Sequence, residues 1–154
     1  METGFWKKGG LWATVQWLLM GGTLAAGPLQ CGDWPTTGSR PAAIFLLIAG
    51  ASFGIAGTGQ LGRNRTILPE PKPGSQLITR GIYAWVRHPL YTSVILLSFA
   101  WAIGWQSLAA LVLALATTGF LDAKSRHEET RLQKHFPDYP DYARHVKRFL
   151  PFLY

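Results

Sequence analysis

Cysteine is almost missing from this 154-residue chain: Cys31 stands alone, so no disulfide can form within it. Charge is scarce as well. Asp, Glu, Lys and Arg make up 15 % of the residues, against roughly 25 % in ordinary soluble domains. Acidic side chains are the scarcer sign, 8 against 15 basic ones, for a net charge of +7. With 48 % hydrophobic residues, this balance excludes a disordered, collagen-like or disulfide-stapled chain. The four histidines form no convincing ligand set, so no metal is expected. No aromatic–basic motif suits RNA, and the positive charge points to anionic lipid headgroups instead of nucleic acid. Length suggests one domain, residues 1–154.

A mean hydropathy of +0.11 is low for a membrane protein, but the charges sit in blocks. Gly9–Gly32 is 24 residues without an ionised side chain, Pro41–Gly62 is 22, and His88–Leu121 is 34 if His88 is neutral. A bilayer span needs about 20 apolar residues. The first two runs each fit one helix. The third, at about 51 Å as a single helix, is too long for a hydrocarbon core of about 30 Å. Gly104-Trp105-Gln106 offers a turn, which predicts a hairpin of Leu90–Ile103 and Ser107–Leu121. The fold expected is all-α: a membrane helical bundle with spans near 10–30, 41–62, 90–103 and 107–122, a loop at 63–88 and a tail at 123–154. With four spans, 14 of the 15 basic residues fall on one side, leaving Arg40 opposite. The positive-inside rule then puts both termini in the cytoplasm of an inner or plasma membrane. Lys7-Lys8 followed by an apolar stretch and Thr23–Gly27 has the outline of a signal peptide; we read it as a retained first span.

Gly50 and Gly54 form a GxxxG on a face rich in small residues, suited to close helix packing within the chain. Pro69, Pro71 and Pro73 stiffen the 63–88 loop, while Leu77, Ile78, Ile82, Tyr83, Trp85 and Val86 make its later part apolar enough to lie across the cytoplasmic mouth of the bundle. Arg87-His88-Pro89-Leu90-Tyr91 opens the third span with Pro89 at the first helical position. The N–H groups of Leu90, Tyr91 and Thr92 beside Arg87 and His88 can form an anion site; a helix cap with a surface arginine is the other reading. Asp122–Phe136 continues the fourth span as a helix, and Leu121, Glu128, Leu132 and Phe136 recur at helical spacing, which sets a carboxylate on an apolar face. A solvated Glu128-Glu129 pair bridged to Arg131 or Lys124 is the alternative. Pro140 can start a further amphipathic helix with Tyr142, Val146, Phe149 and Leu150 on one stripe, lying on the membrane surface.

Leu61-Gly62-Arg63-Asn64-Arg65-Thr66, Leu77-Ile78-Thr79-Arg80-Gly81-Ile82-Tyr83, Arg87-His88-Pro89-Leu90-Tyr91, Glu128-Glu129 and Phe136…Tyr139…Tyr142…Arg148-Phe149-Leu150-Pro151 occur in that order. This ordered set resembles the isoprenylcysteine carboxyl methyltransferase / phospholipid methyltransferase superfamily of integral membrane enzymes, over residues 61–151. The resemblance implies S-adenosylmethionine as methyl donor, with S-adenosylhomocysteine as product, and a lipid or prenylated acceptor that reaches the site sideways between helices. It implies cofactor contacts from Tyr83, His88, Pro89, Leu90 and Tyr91, with the helix start near the donor's carboxylate. It also implies that Glu128 or Glu129 meets the ribose hydroxyls or amino group and that Arg87 or Arg148 serves the acceptor side, with catalytic roles among Arg87, Glu128, Glu129 and Arg148.

Methyl transfer from a sulfonium needs no nucleophilic Ser or Cys. A carboxylate acceptor is already ionised near neutral pH and needs no strong base, whereas an amine acceptor would need one, such as His88 or a glutamate. A membrane reductase of the NADPH-dependent sterol type is a second reading, because those enzymes share a similar Arg-His-Pro-x-Tyr segment and a Tyr-containing tail. Leu90 stands where they usually carry Asn. A non-catalytic scaffold is a third, against which stand the intact Arg-His-Pro-x-Tyr and Glu-Glu pairs.

Overall fold

The computed structural model describes residues 9–35, 38–62, 76–151 and Tyr154. Lys7, Lys8, the Pro69–Pro73 run and Asn64 lie outside them. The described chain is all-α: α1 (Gly10–Leu29), α2 (Ser39–Leu61), a short 3-10 turn (Gly81–Ala84), α3 (Pro89–Trp105), α4 (Leu108–His135) and α5 (Tyr139–His145). α1 and α2 and the start of α3 keep within three residues of the limits of the charge-free runs, whereas α4 continues 14 residues beyond Leu121, as the expected helical continuation of Asp122–Phe136.

The third run folds back on itself at Gln106-Ser107, α3 ending two residues beyond the Ile103 expected and α4 starting one residue after the Ser107 expected. α3 continues through Trp105, and Gln106 takes the left-handed conformation at φ 52°. Ser107 then caps α4, its hydroxyl accepting from Ala110 N at 3.1 Å. The same hydroxyl donates to Ala26 O of α1 at 3.1 Å. Asp33 Oδ2 accepts from Leu108 N at 2.6 Å, so the α1–α2 connection is tied to the α3–α4 turn.

α2 and α3 are the most closely packed pair, and the glycines explain it. Gly50, Gly54 and Gly57 line one stripe of α2. A Cβ on them would lie 3.0 Å from Leu97 Cγ, 2.7 Å from Ser93 Oγ and 3.1 Å from Leu90 Cδ2 respectively. The GxxxG thus serves packing within the chain. α1 leans on α4 and α3. Its Gly27 is buried against two indoles: a Cβ there would sit 2.4 Å from Trp101 Nε1 and 2.8 Å from Trp105 Cδ1, displacing the Trp101 N–H from Leu24 O, on which it rests at 3.2 Å. Alanine has about 1 kcal/mol better helix propensity than glycine, but overpacking costs about 1–3 kcal/mol. Gly27→Ala is therefore expected to lower the melting midpoint in detergent, and a raised midpoint would refute the close approach.

α2 with 23 residues and α4 with 28 are long and apolar enough to cross a bilayer; α3, with 17, is a shorter apolar helix. Leu18 of α1, Phe45, Ile48 and Ile55 of α2, and Val112 and Leu115 of α4 all face outward. Packed soluble proteins rarely expose such a continuous apolar surface; lipid suits it. α4, at about 42 Å, outlasts any hydrocarbon core. Its charge-free part is 108–121, and the remainder carries Asp122, Lys124, Arg126, Glu128 and Glu129 beyond the membrane-spanning segment.

One expectation fails in the tail. The helix started near Pro140 ends at His145, and Val146 is extended at φ −109°, ψ 132°, so Val146, Phe149 and Leu150 share no helical stripe. Backbone pairing wins over amphipathic helix here. Val86 and Lys147 form a parallel bridge, with Arg87 N donating to Lys147 O at 2.8 Å and His88 N to Arg148 O at 3.1 Å. Phe149 is buried rather than laid on a surface. Across the same region, Tyr83 and Val86 are buried as expected of the apolar loop, whereas Trp85 is 61 % exposed.

Candidate functional site

Where the charged half of α4 meets the start of α3 and the tail, an ionic cluster is buried. Glu129, 7 % exposed, is its centre. Its Oε1 accepts from Arg87 Nε at 3.0 Å and from Arg148 Nε at 3.1 Å, and faces His88 Nε2 at 3.0 Å. Its Oε2 accepts from Arg148 Nη2 at 2.8 Å, which makes the arginine grip two-pronged. Burial alone would raise this carboxyl, but the hydrogen bonds from His88, Arg148 and Arg87 hold it well below the usual carboxylate range. Arg87 is held in turn by the carbonyls of Ala143 and Val146, and Arg148 by Asp122 Oδ1 at 3.0 Å.

Glu128 differs. Tyr91 OH donates to its Oε1 at 2.5 Å, while its Oε2 stands 3.9 Å from His88 Nδ1, beyond hydrogen-bond reach. Burial pushes its carboxyl above the ordinary value, against the pull of His88, Tyr91 and Lys124. The His88 and Tyr91 rings stack at 5.4 Å with 1° between planes, which fixes both ahead of α4.

Arg87, His88, Tyr91, Glu128, Glu129 and Arg148 are thus brought together, from segments up to 61 residues apart. The glutamates pair with these residues and not with Arg131 or Lys124, so the solvated-pair alternative falls. Tyr83 is adjacent: its carbonyl accepts from Tyr142 OH at 2.5 Å. Pro89 and Leu90 are not in the cluster by their side chains, which pack on Gly57 of α2. The helix start presents fewer free donors than expected. Tyr91 N and Thr92 N both donate to His88 O, at 3.1 and 3.0 Å, because His88 occupies the cap position, so of the three donors expected there only Leu90 N has no such bond.

Sequence reasoning missed Asp122, Tyr154 and Gln16. Asp122 precedes Glu129 by seven residues, two turns along one helix face, a signal that was available. Tyr154, donating to Asp122 Oδ1 at 2.9 Å, and Gln16, accepting from Lys124 Nζ at 2.7 Å, are contacts between distant segments with no local mark.

A family model described as phospholipid methyltransferase matches residues 39–139. The chain belongs to the phospholipid methyltransferase family. The match takes in α2, α3, α4 and all of the cluster except Arg148. This family member is similar to the protein-S-isoprenylcysteine O-methyltransferase of Mus musculus, 30 % identical over 159 residues that cover 99 % of this chain and 47 % of the mouse protein. The rat protein of that name is 33 % identical over 96 residues, 58 % of this chain and 32 % of the rat protein. The nickel-cobalt-cadmium resistance protein NccN of Alcaligenes xylosoxydans xylosoxydans is 33 % identical over 87 residues, 53 % of this chain and 39 % of NccN. The phospholipid methyltransferase family member described here spans less than half the length of each of these relatives.

Whether the residues fit the methyl donor implied by that family can be judged from the donor set. Glu129 is held by four contacts, three on Oε1 and one on Oε2, all to cations of this chain or to His88. Glu128 Oε2 and His88 Nδ1 have no hydrogen bond among the described residues, so the site keeps a carboxylate oxygen suited to an ammonium or a ribose diol. In that respect the residues fit S-adenosylmethionine.

Proposed function

We propose that this chain transfers a methyl group from S-adenosylmethionine to a lipophilic acceptor, an isoprenylcysteine-like carboxylate or a lipid, at the cytoplasmic face of a membrane that α1 to α4 span. The observation that carries this reading is the buried Arg87–His88–Tyr91–Glu128–Glu129–Arg148 cluster, set where the charged part of α4 leaves the apolar bundle. The bound donor supplies an electrophilic methyl on a sulfonium sulfur. Glu128 Oε2 holds its amino or ribose hydroxyl groups, with Tyr91 and His88 fixing that carboxylate in place. Arg87 and Arg148, locked on Glu129, line the acceptor side. A carboxylate acceptor arrives ionised, so the chain's work is to align two opposite charges and exclude water, a contribution of up to about 7–11 kcal/mol for well-oriented reactants. For an amine acceptor, His88 Nδ1 is placed to take the proton, its Nε2 side being anchored on Glu129.

An apolar cleft of about 510 Å³ between α1, α2 and α3 supports a lipophilic acceptor. Its lining on α3 includes Val94, Ser98, Trp101 and Trp105, which continue the stripe begun by Tyr91 at helical spacing. Hydrocarbon fits there: Thr23 spends its hydroxyl on Leu19 O and Trp101 its indole N–H on Leu24 O.

The test uses the full chain in nanodiscs with methyl-labelled S-adenosylmethionine, offered S-farnesylcysteine or phosphatidylethanolamine. Label is expected in one lipid product. S-adenosylhomocysteine at 100 times its Kd should stabilise the chain by about 2.7 kcal/mol. No labelled product, with stabilisation by NADP⁺ alone, would overturn the reading in favour of a reductase.

A further inference from the structure

Every cation of the cluster has a carboxylate within salt-bridge distance, but a further cation beside it does not. Arg87, His88 and Arg148 share Glu129. Lys124 is different. It is 2 % exposed, yet its ammonium has a neutral hydrogen-bond partner, Gln16 Oε1 at 2.7 Å, and the face of the Tyr91 ring, 5.2 Å from the centroid. No carboxylate lies within 4.0 Å of it among the described residues, and only one of its three N–H donors has a hydrogen-bond partner there. Buried charges in folded proteins are paired, since an uncompensated one is costly. Gln16 adds no charge, and the ring contributes only its weak quadrupole. The helix start offers less than expected to an anion, because His88 O has taken the Tyr91 and Thr92 donors and only Leu90 N is left.

We infer that Lys124 is the carboxylate-binding residue of this site, its two spare N–H groups receiving a carboxylate from one of the two reaction partners. This rests on the methyl-transfer reading above. Both partners carry the required chemistry: the amino-acid end of the donor, and the free acid of a prenylcysteine acceptor. Gln16 and the Tyr91 ring touch the ammonium, and Glu128, its side chain 16 % exposed, lies near enough to act on its charge, so the groups around it are side chains and not backbone. Gln16 and the Tyr91 ring hold the ammonium beside Glu128, so that a zwitterionic group would meet an acceptor and a donor side by side.

The experiment compares the wild-type chain with Lys124→Met, of similar length and uncharged, in detergent micelles. Dissociation constants are measured by calorimetry for S-adenosylhomocysteine and for 5′-methylthioadenosine, which lacks the amino-acid end. KM is measured for S-farnesylcysteine, and competition by that acid is compared with competition by its methyl ester. A charged hydrogen bond corresponds to about a 10- to 100-fold effect. Weakening of S-adenosylhomocysteine by that factor, with 5′-methylthioadenosine unchanged, supports the inference and names the donor as the source. An equal rise in KM for the acid, with loss of its advantage over the ester, supports it and names the acceptor. Unchanged constants overturn it, as does equal weakening of charged and uncharged partners, which is what a structural lysine gives. Gln16→Leu, which removes the tie to α1 and leaves the ammonium, should keep the charge discrimination. Lys124→Gln is the substitute if methionine is not tolerated. A wild-type chain that binds neither adenosyl compound overturns the methyl-transfer reading itself, and the Lys124 inference with it.

Discussion

Glu129→Ala is expected to cost about 3–5 kcal/mol of folding stability, the effect of stripping a buried ion cluster of its anion. Arg87 and Arg148 are 10 % and 15 % exposed at their side chains, and both lose their carboxylate partner, although Arg148 keeps Asp122. A fall of the detergent melting midpoint on the order of 10 °C is the corresponding readout. Glu129→Gln keeps the shape but not the charge and should fall between. The pH dependence has a definite sign. A carboxyl held below its usual range stabilises the fold fully above the unfolded glutamate pKa of about 4.3 and loses that contribution as pH falls toward its own lower value. The gap between wild type and Glu129→Gln should thus be flat from pH 6 to 8 and close on acidification below about pH 4. A gap that widened in acid would contradict the hydrogen-bonded cluster.

The neighbouring residue should behave in the opposite way. Burial raises the Glu128 carboxyl, so its ionisation subtracts from stability. That penalty begins near the unfolded value and is complete above its own raised pKa. Glu128→Gln is therefore expected to match or exceed the wild-type melting midpoint at pH 7, with any excess shrinking toward pH 4. If Glu128 Oε2 holds the donor as proposed, the same variant binds S-adenosylhomocysteine about 10- to 100-fold more weakly. Two adjacent glutamates would then separate cleanly, one holding the fold together and the other spending stability on a ligand. A Glu128→Gln chain that melts well below wild type, or binds with undiminished affinity, would sink this division.

The bundle was legible because its information is one-dimensional. Runs without charge set most helix limits to within a few residues, with α4 extending beyond its run, and Gly50 with Gly54 announced close packing within the chain, though not its partner helix. The convergence of Arg87 to Tyr91 on Glu128-Glu129 followed from the order of motifs that the family resemblance supplied. What could not be read was the fate of particular backbone donors and carbonyls. Nothing local in Pro140–Leu150 says that the helix stops at His145, because it stops to pair Lys147 with Val86, some sixty residues earlier. The same is true of the helix start, whose N–H groups look free until His88 O is seen to take them. Lys124 reads as an ordinary exposed lysine on a charged helix end; its burial depends on Gln16, contributed by α1.

The short bridge between Val86 and Lys147 also has a consequence for biogenesis. Residues are joined in chain order, so Val86, Arg87 and Glu129 all exist before Lys147 and Arg148 do. Until that arginine arrives, Glu129 lacks its two-pronged partner and the stretch before α3 lacks the backbone it pairs with. The Arg87–Glu129 contact and the full grip on Glu129 are thus separate in order of synthesis, the second waiting until the chain has been made through Arg148.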